Sequence, residues 1–108
     1  MPIYNKLVRD LIPQIIESSG KTCTTRSMNE DEFTIEINKK MHEELTEYEA
    51  AETAEDAIEE LADLLELIHA AVVTHGSSFD ELEKVRLQKA EKRGGFDERI
   101  FLIDVEDE

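Results

Sequence analysis

The chain has one cysteine, Cys23, so no disulfide can form within it. Its three histidines and that cysteine make no pair-and-pair spacing, which removes the zinc-finger class. No apolar run approaches the roughly 20 residues a membrane span needs. The first residues lack an apolar run followed by a small-residue cleavage site, so no secretory leader is expected. Together with the cysteine usage, this fits a reducing, cytoplasmic setting. Basic residues are scarce, 12 against 27 acids, for a net charge of −15. That balance argues against non-specific nucleic-acid binding, which depends on neutralising phosphates. It also argues against adhesion to anionic membranes. Aromatics make up only 6% of the chain, little material for a monomer core. With no linker and no low-complexity stretch, residues 1–108 read as a single domain.

What the chain does have is acid, unevenly placed. Residues 43–66 hold eleven Asp or Glu and no Lys or Arg. The cations lie outside, notably Lys6 and Arg9 before the block and Lys84, Arg86, Lys89, Lys92 and Arg93 after it. Within the block two stretches nearly repeat, Glu43-Glu44-Leu45-Thr46-Glu47 and Glu59-Glu60-Leu61-Ala62-Asp63. On a helix, Glu44 with Glu47 and Glu60 with Asp63 are each one turn apart on one face. Any single pair of this kind is ordinarily a solvated surface feature, and acid in general serves solubility. The doubling is what needs a cause.

The surrounding pattern places both stretches on helices. A first helical segment is expected from a cap at Asn5 towards Ser19, stopped by Gly20 and interrupted at Pro13, ahead of which the chain is irregular or forms a separate short turn. Residues 22–27 alternate weakly and suggest a short strand. A second helix is expected over about 32–51, with Phe33, Ile37, Met41, Leu45 and Tyr48 in one apolar stripe. Thr53 with Asp56 approximates a capping box for a third helix over about 55–75. The apolar face of that helix is wide enough for burial on more than one side. Ser78 with Glu81 caps a fourth, which ends near Arg93 at Gly94-Gly95. Residues 100–105 read as a strand, whose only visible partner is 22–27. The expected architecture is mainly α: a four-helix bundle with a small two-stranded β ribbon. The broad third-helix face and the few aromatics add the expectation of a homodimer or higher homo-oligomer.

The turn between the second and third helices is short, so they should pack antiparallel. Each acidic pair lies a similar number of residues from that turn, which brings the two pairs to nearly the same height. Four carboxylates facing one another call for a cation. Hard oxygen ligands with water completing the shell suit Mg²⁺, with Mn²⁺ as a substitute. No Ser, Cys or His stands beside a base here, so the expected attacking group is a metal-activated water. Glu43 or Glu47 could take its proton. Lys6 with Arg9 and Lys89 with Arg93 are cation pairs one turn apart, suited to phosphate or simply to offsetting the acids. Gly94-Gly95 would let backbone amides approach a phosphate, or would stop the helix. Asn5 is more readily a cap than a substrate contact, and Asp10 could orient Arg9. His42, His69 and His75 share no spacing and read as packing or surface. Phe33, Tyr48, Phe79 and Phe96 read as core, with Tyr48 or Phe96 also able to stack on a base.

The pattern Glu43-Glu44-x-x-Glu47, a spacer, then Glu60-x-x-Asp63 resembles the signature of the all-alpha nucleoside triphosphate pyrophosphatase superfamily. That group includes MazG-like proteins, dimeric dUTPases and phosphoribosyl-ATP pyrophosphohydrolase. The stretch from Tyr4-Asn5-Lys6-Leu7-Val8-Arg9-Asp10 to Pro13 is similar to the house-cleaning, phosphoribosyl-ATP-pyrophosphohydrolase-like branch of MazG-like proteins. So is Lys89-x-x-Lys92-Arg93-Gly94-Gly95-Phe96. The resemblance implies a MazG-like domain with Glu44, Glu47, Glu60 and Asp63 as Mg²⁺ ligands. It implies hydrolysis of a nucleoside triphosphate to monophosphate and pyrophosphate, with Lys6, Arg9, Lys89 and Arg93 on the phosphates. Phosphoribosyl-ATP hydrolysis in histidine synthesis is the alternative activity. A non-catalytic acidic helical module, binding a partner protein or only a metal, is the alternative of a different class.

Overall fold

The computed structural model describes residues 2–107, in which four helices follow one another: α1 (Ile12–Ser18), α2 (Glu30–Ala50), α3 (Ala54–Thr74) and α4 (Phe79–Arg93). The chain is mainly α-helical, as its periodicity implies.

The helix ends follow local chemistry. The Asn29 side-chain oxygen accepts from the Glu32 N–H at 2.8 Å, and three acids occupy the first turn of α2. The hydroxyls of Thr53 and Ser78 accept from the N–H groups of Asp56 and Glu81 at 3.1 and 3.2 Å, so both expected caps are in place. At the end of α3, Gly76 takes φ 71°, and its N–H and that of Ser77 bond back to Val73 and Val72. This αL closure is one that glycine adopts without strain.

The first helix is shorter than its apolar pattern suggests. It begins at Ile12 with Pro13 in its first turn, where a missing N–H costs nothing. Ile12, directly before Pro13, is itself helical, and Asn5 takes φ 44° instead of capping a helix. Residues 5–10 therefore form an irregular strap rather than a helical face.

α2 and α3 make the main packed unit, an antiparallel hairpin turned over residues 51–53. α4 packs more lightly on α3, where the His69 and Phe79 rings stack with centroids 3.6 Å apart. Among the described residues only Ile37, 1% exposed, and Glu44, 6% exposed, are buried. Leu45 and Tyr48, expected to complete the apolar stripe of α2, remain partly open to solvent. Phe96, expected in the core, is almost fully exposed.

The expected two-stranded ribbon does not form: there is no strand among the described residues. Residues 22–27 run as an irregular link into α2, and residues 100–105 extend beyond α4 without a ladder partner. Two short strands alone gain little from pairing; Cys23 packs against the Pro13 carbonyl of α1 instead, and residues 100–105 stand exposed. No described helix is long and apolar enough to cross a membrane.

Candidate functional site

The packed hairpin brings most of the acidic constellation together. Glu44 and Glu47 on α2 and Glu60 on α3 each present a carboxylate oxygen within 4.8 Å of the other two. Glu44 is buried, Glu60 half-buried and Glu47 exposed, so the group opens from the helix interface to the surface. The Oε2 atoms of Glu44 and Glu60 are buried with no hydrogen-bond partner. A buried carboxylate oxygen without a donor carries its full desolvation cost. Burial, close approach to the Glu60 carboxylate and the nearby charges of Glu47 and Asp63 push the Glu44 carboxyl up to about 7. For Glu60 the contact with Glu44 works downward, but burial and its contacts with Glu47 and Asp63 outweigh it and raise the group overall. These responses are those of like-charged acids crowded together where solvent is partly excluded.

Asp63 stands beside the trio with its Oδ1 held at 2.6 Å by the Arg9 guanidinium. The strap of residues 5–10 thus lies over the acidic end of the hairpin. Asp10, expected to orient Arg9, is not its partner. Together strap and hairpin bound a cavity of about 400 Å³. Lys6, Arg9 and Lys40 supply cations to its wall, Asp10, Glu44, Asp63 and Glu66 acids, and Phe33 an aromatic ring; of the trio, Glu44 lines it and Glu47 and Glu60 lie beside it.

Lys40 escaped the sequence reading. The acidic block is free of cations only from residue 43 onward. One turn earlier Lys40, with a side chain 17% exposed, places Nζ 3.7 Å from Glu43 and 4.0 Å from Glu44. Its spacing of three and four from those acids was the available signal. Glu43 meets Lys40 and lies outside the trio. On the far helix, Lys89 and Arg93 are exposed near the end of α4 and do not line the cavity.

The donor set fits a hard divalent cation. All three donors are carboxylates, two have an unused buried oxygen, and the exposed side leaves room for water. Glu44, Glu47 and Glu60 would hold it, with Asp63 able to join on release from Arg9.

No family model matches the chain, and no solved structure matches it. An uncharacterised protein of Mycolicibacterium smegmatis is 41% identical over 54 residues, which is 50% of this chain and 55% of that protein. The match thus spans about half of each.

Proposed function

We propose that the chain is a Mg²⁺-dependent nucleotide pyrophosphohydrolase of the MazG-like kind, cleaving a nucleoside triphosphate to monophosphate and pyrophosphate. The observation that carries this reading is the Glu44–Glu47–Glu60 cluster, with two unpartnered buried oxygens, opening beside a cavity walled by Lys6, Arg9 and Lys40. Carboxylates alone indicate a cation. A carboxylate cluster that reaches a cavity through Glu44 and meets side-chain cations there suits an anion that carries its own cation, as a phosphate chain does.

Mg²⁺ would supply charge neutralisation at the bridging phosphates and acidify a water for attack. Glu44, Glu47 and Glu60 would hold it. Glu47, the exposed member, faces solvent and can accept a proton from an approaching water. Arg9 offers a planar fork to phosphate oxygens once exchanged from Asp63, which that exchange frees as a further carboxylate. Lys6 and Lys40 stabilise charge that develops on departing pyrophosphate. Lys89 and Arg93 would join only if the end of α4 meets the substrate from outside this cavity. The scarcity of cysteine and the chemistry itself suit a cytoplasmic setting, and removal of non-standard nucleotides is the role the resemblance favours.

The test is pyrophosphate and monophosphate release by the full chain from a panel of standard and modified triphosphates, with and without Mg²⁺. Release that requires Mg²⁺ and fails in Glu47→Gln supports the reading. Turnover of phosphoribosyl-ATP alone would redirect it to histidine synthesis. No turnover of any nucleotide, with a melting temperature indifferent to Mg²⁺ plus nucleotide, would leave an acidic interaction module.

A further inference from the structure

The cavity under the strap changes character along its length. Glu44 and Phe33 both line it from α2, eleven residues apart, so it follows the hairpin for about 16 Å. At the Glu44 end stand the carboxylate cluster, Lys40 and the Arg9–Asp63 pair. At the other end Phe33 is about level with Ala70, because α3 runs back along α2 from the turn at 51–53. Phe33, Leu67 and Ala70 are half-buried there and make an apolar wall with one aromatic ring, which suits the flat face of a base. A nucleoside triphosphate has the same polarity from end to end.

The few polar groups of an apolar site fix what it selects. Here every polar side chain in the lining is of a charged type, with no Ser, Thr, Asn, Gln, Tyr or His among them. Most are engaged. Arg9 holds Asp63, Lys40 lies along Glu43 and Glu44, and Lys6 Nζ stands 5.8 Å from the centre of the Tyr4 ring. Glu66 and Asp10 have no ion pair or side-chain hydrogen bond among the described residues. Asp10 belongs to the irregular strap. Glu66 is on α3, one turn beyond Asp63 and next to Leu67, so the packed hairpin fixes its backbone. It is exposed in the empty cavity, so leaving it unpartnered costs the fold little. A carboxylate only accepts, and its two oxygens take two parallel N–H donors.

We infer that Glu66 reads the base edge of the substrate, and that the cavity selects a nucleotide whose base offers two adjacent N–H donors, as guanine does with N1–H and its 2-amino group. The inference rests on the nucleotide reading above and names the substrate class of that same cavity. With the phosphates at the Glu44 end, the base lies against Phe33 and Leu67, within reach of Glu66. The two donors then meet the two carboxylate oxygens in charge-assisted bonds. Hypoxanthine keeps N1–H but lacks the amino group, so one oxygen is left facing a C–H. Uracil presents its N3–H between two carbonyl oxygens, which the carboxylate repels. The side-chain cations that would favour a carbonyl-rich edge are engaged by Asp63, Glu43, Glu44 and the Tyr4 ring. A guanine altered elsewhere on its rings keeps the edge that Glu66 reads.

Calorimetric titration of the full chain with non-hydrolysable triphosphates of guanosine, inosine and uridine, each with Mg²⁺, tests the inference without requiring turnover. Guanosine should bind tightest, inosine about tenfold more weakly and uridine more weakly again, the scale of one good base contact. Glu66→Gln keeps one acceptor and gains a donor. It should bring guanosine and inosine within about threefold and improve uridine, with helical circular dichroism unchanged. Glu59→Gln removes the same charge from the same helix outside the cavity and should keep the original order. Equal binding of all three by the unaltered chain, a preference that survives in Glu66→Gln, or one that Glu59→Gln abolishes as well, would each overturn the role of Glu66. Mg²⁺-dependent pyrophosphate release alongside such a result leaves the nucleotide reading standing. A guanosine preference lost in Glu66→Gln without any turnover supports Glu66 and sinks the hydrolysis. No binding of any of the three overturns both.

Discussion

The α2–α3 hairpin and the segment after α4 are incomplete in opposite ways. The hairpin buries a carboxylate, Glu44, as deeply as almost anything else it contains, yet gives that carboxylate no full counter-charge. The C-terminal arm carries a dense run of apolar side chains and buries none of them. A buried charge is a local problem that one small cation removes. Exposed apolar surface is a distributed problem, worth about 25 cal/mol per Å², that only a large second surface removes. On the proposed reading the first region takes an ion with its phosphate, while the second presents apolar surface of a different kind. If that division is right, changes in one region leave the other's readout alone.

The largest expected effect is on turnover. Glu47→Gln or Glu60→Gln removes one charge and one metal donor while keeping shape. Mg²⁺-dependent pyrophosphate release should fall about 10²–10³-fold, the usual cost of losing a preorganised electrostatic contact. Sedimentation of both variants should match that of the unaltered chain. Full activity in either would break the site assignment, and a change of assembly state would break the separation of the two regions.

Next comes the pH dependence of the metal-free fold. The folded Glu44 carboxyl titrates near about 7 rather than at its ordinary 4.5. The folded chain thus holds a proton across a range where the unfolded chain has released it. This contribution to stability is fully present below about pH 4.5 and is lost as pH rises through about 7. In Mg²⁺-free buffer the urea midpoint should therefore drop from about pH 5 to about pH 8, with a Glu44 share on the order of 2 kcal/mol. Glu44→Gln, which cannot ionise, should show a shallower drop and be the more stable chain at the alkaline end. Identical slopes for the two chains would mean that Glu44 is solvated after all. Glu44→Gln should also leave the chain's sedimentation unchanged.

Lys40→Ala tests whether the cavity holds an anion. Lys40 lies along Glu43 and Glu44 and helps to wall the cavity. If it only neutralises acids, its loss should weaken the fold and strengthen metal binding. If it also meets a phosphate, kcat/KM should drop about tenfold, equivalent to about 1.4 kcal/mol. Activity at or above that of the unaltered chain would assign Lys40 to the acids alone.

How far each region could be read in advance follows from the range of the forces that shape it. Helices α2, α3 and α4 lie within about two residues of their expected bounds, because caps such as Thr53 and Ser78 and the apolar period are local signals. The meeting of Glu44, Glu47 and Glu60 was legible for a related reason: a short turn fixes the height of one helix against the next. The link at 22–27 and the arm at 100–105 were misread as a ribbon. Their composition favours strand, but pairing is a non-local event that composition does not decide. Lys40 was passed over because counting charges within a block ignores the turn just outside it. Arg9 was singled out as a phosphate ligand, while its contact with Asp63 depends on how an irregular strap crosses two helices.

That contact supports the smallest of these predictions. Arg9 and Asp63 approach to 2.6 Å, but their side chains are 55% and 41% exposed. An ion pair so open to solvent contributes about 0–1 kcal/mol. Arg9→Ala should accordingly shift the urea midpoint of the metal-free chain hardly at all and leave assembly as it was. Its consequence should emerge with ligands. Without its partner, Asp63 is free to complete the cation site, so Mg²⁺ alone should bind more tightly. Mg²⁺ with a non-hydrolysable triphosphate should bind less tightly, because a phosphate contact has gone. Calorimetric titration separates the two, and opposite signs are the decisive outcome. If both affinities move together, Arg9 is a surface charge that happens to face Asp63, and the strap has no part in holding substrate.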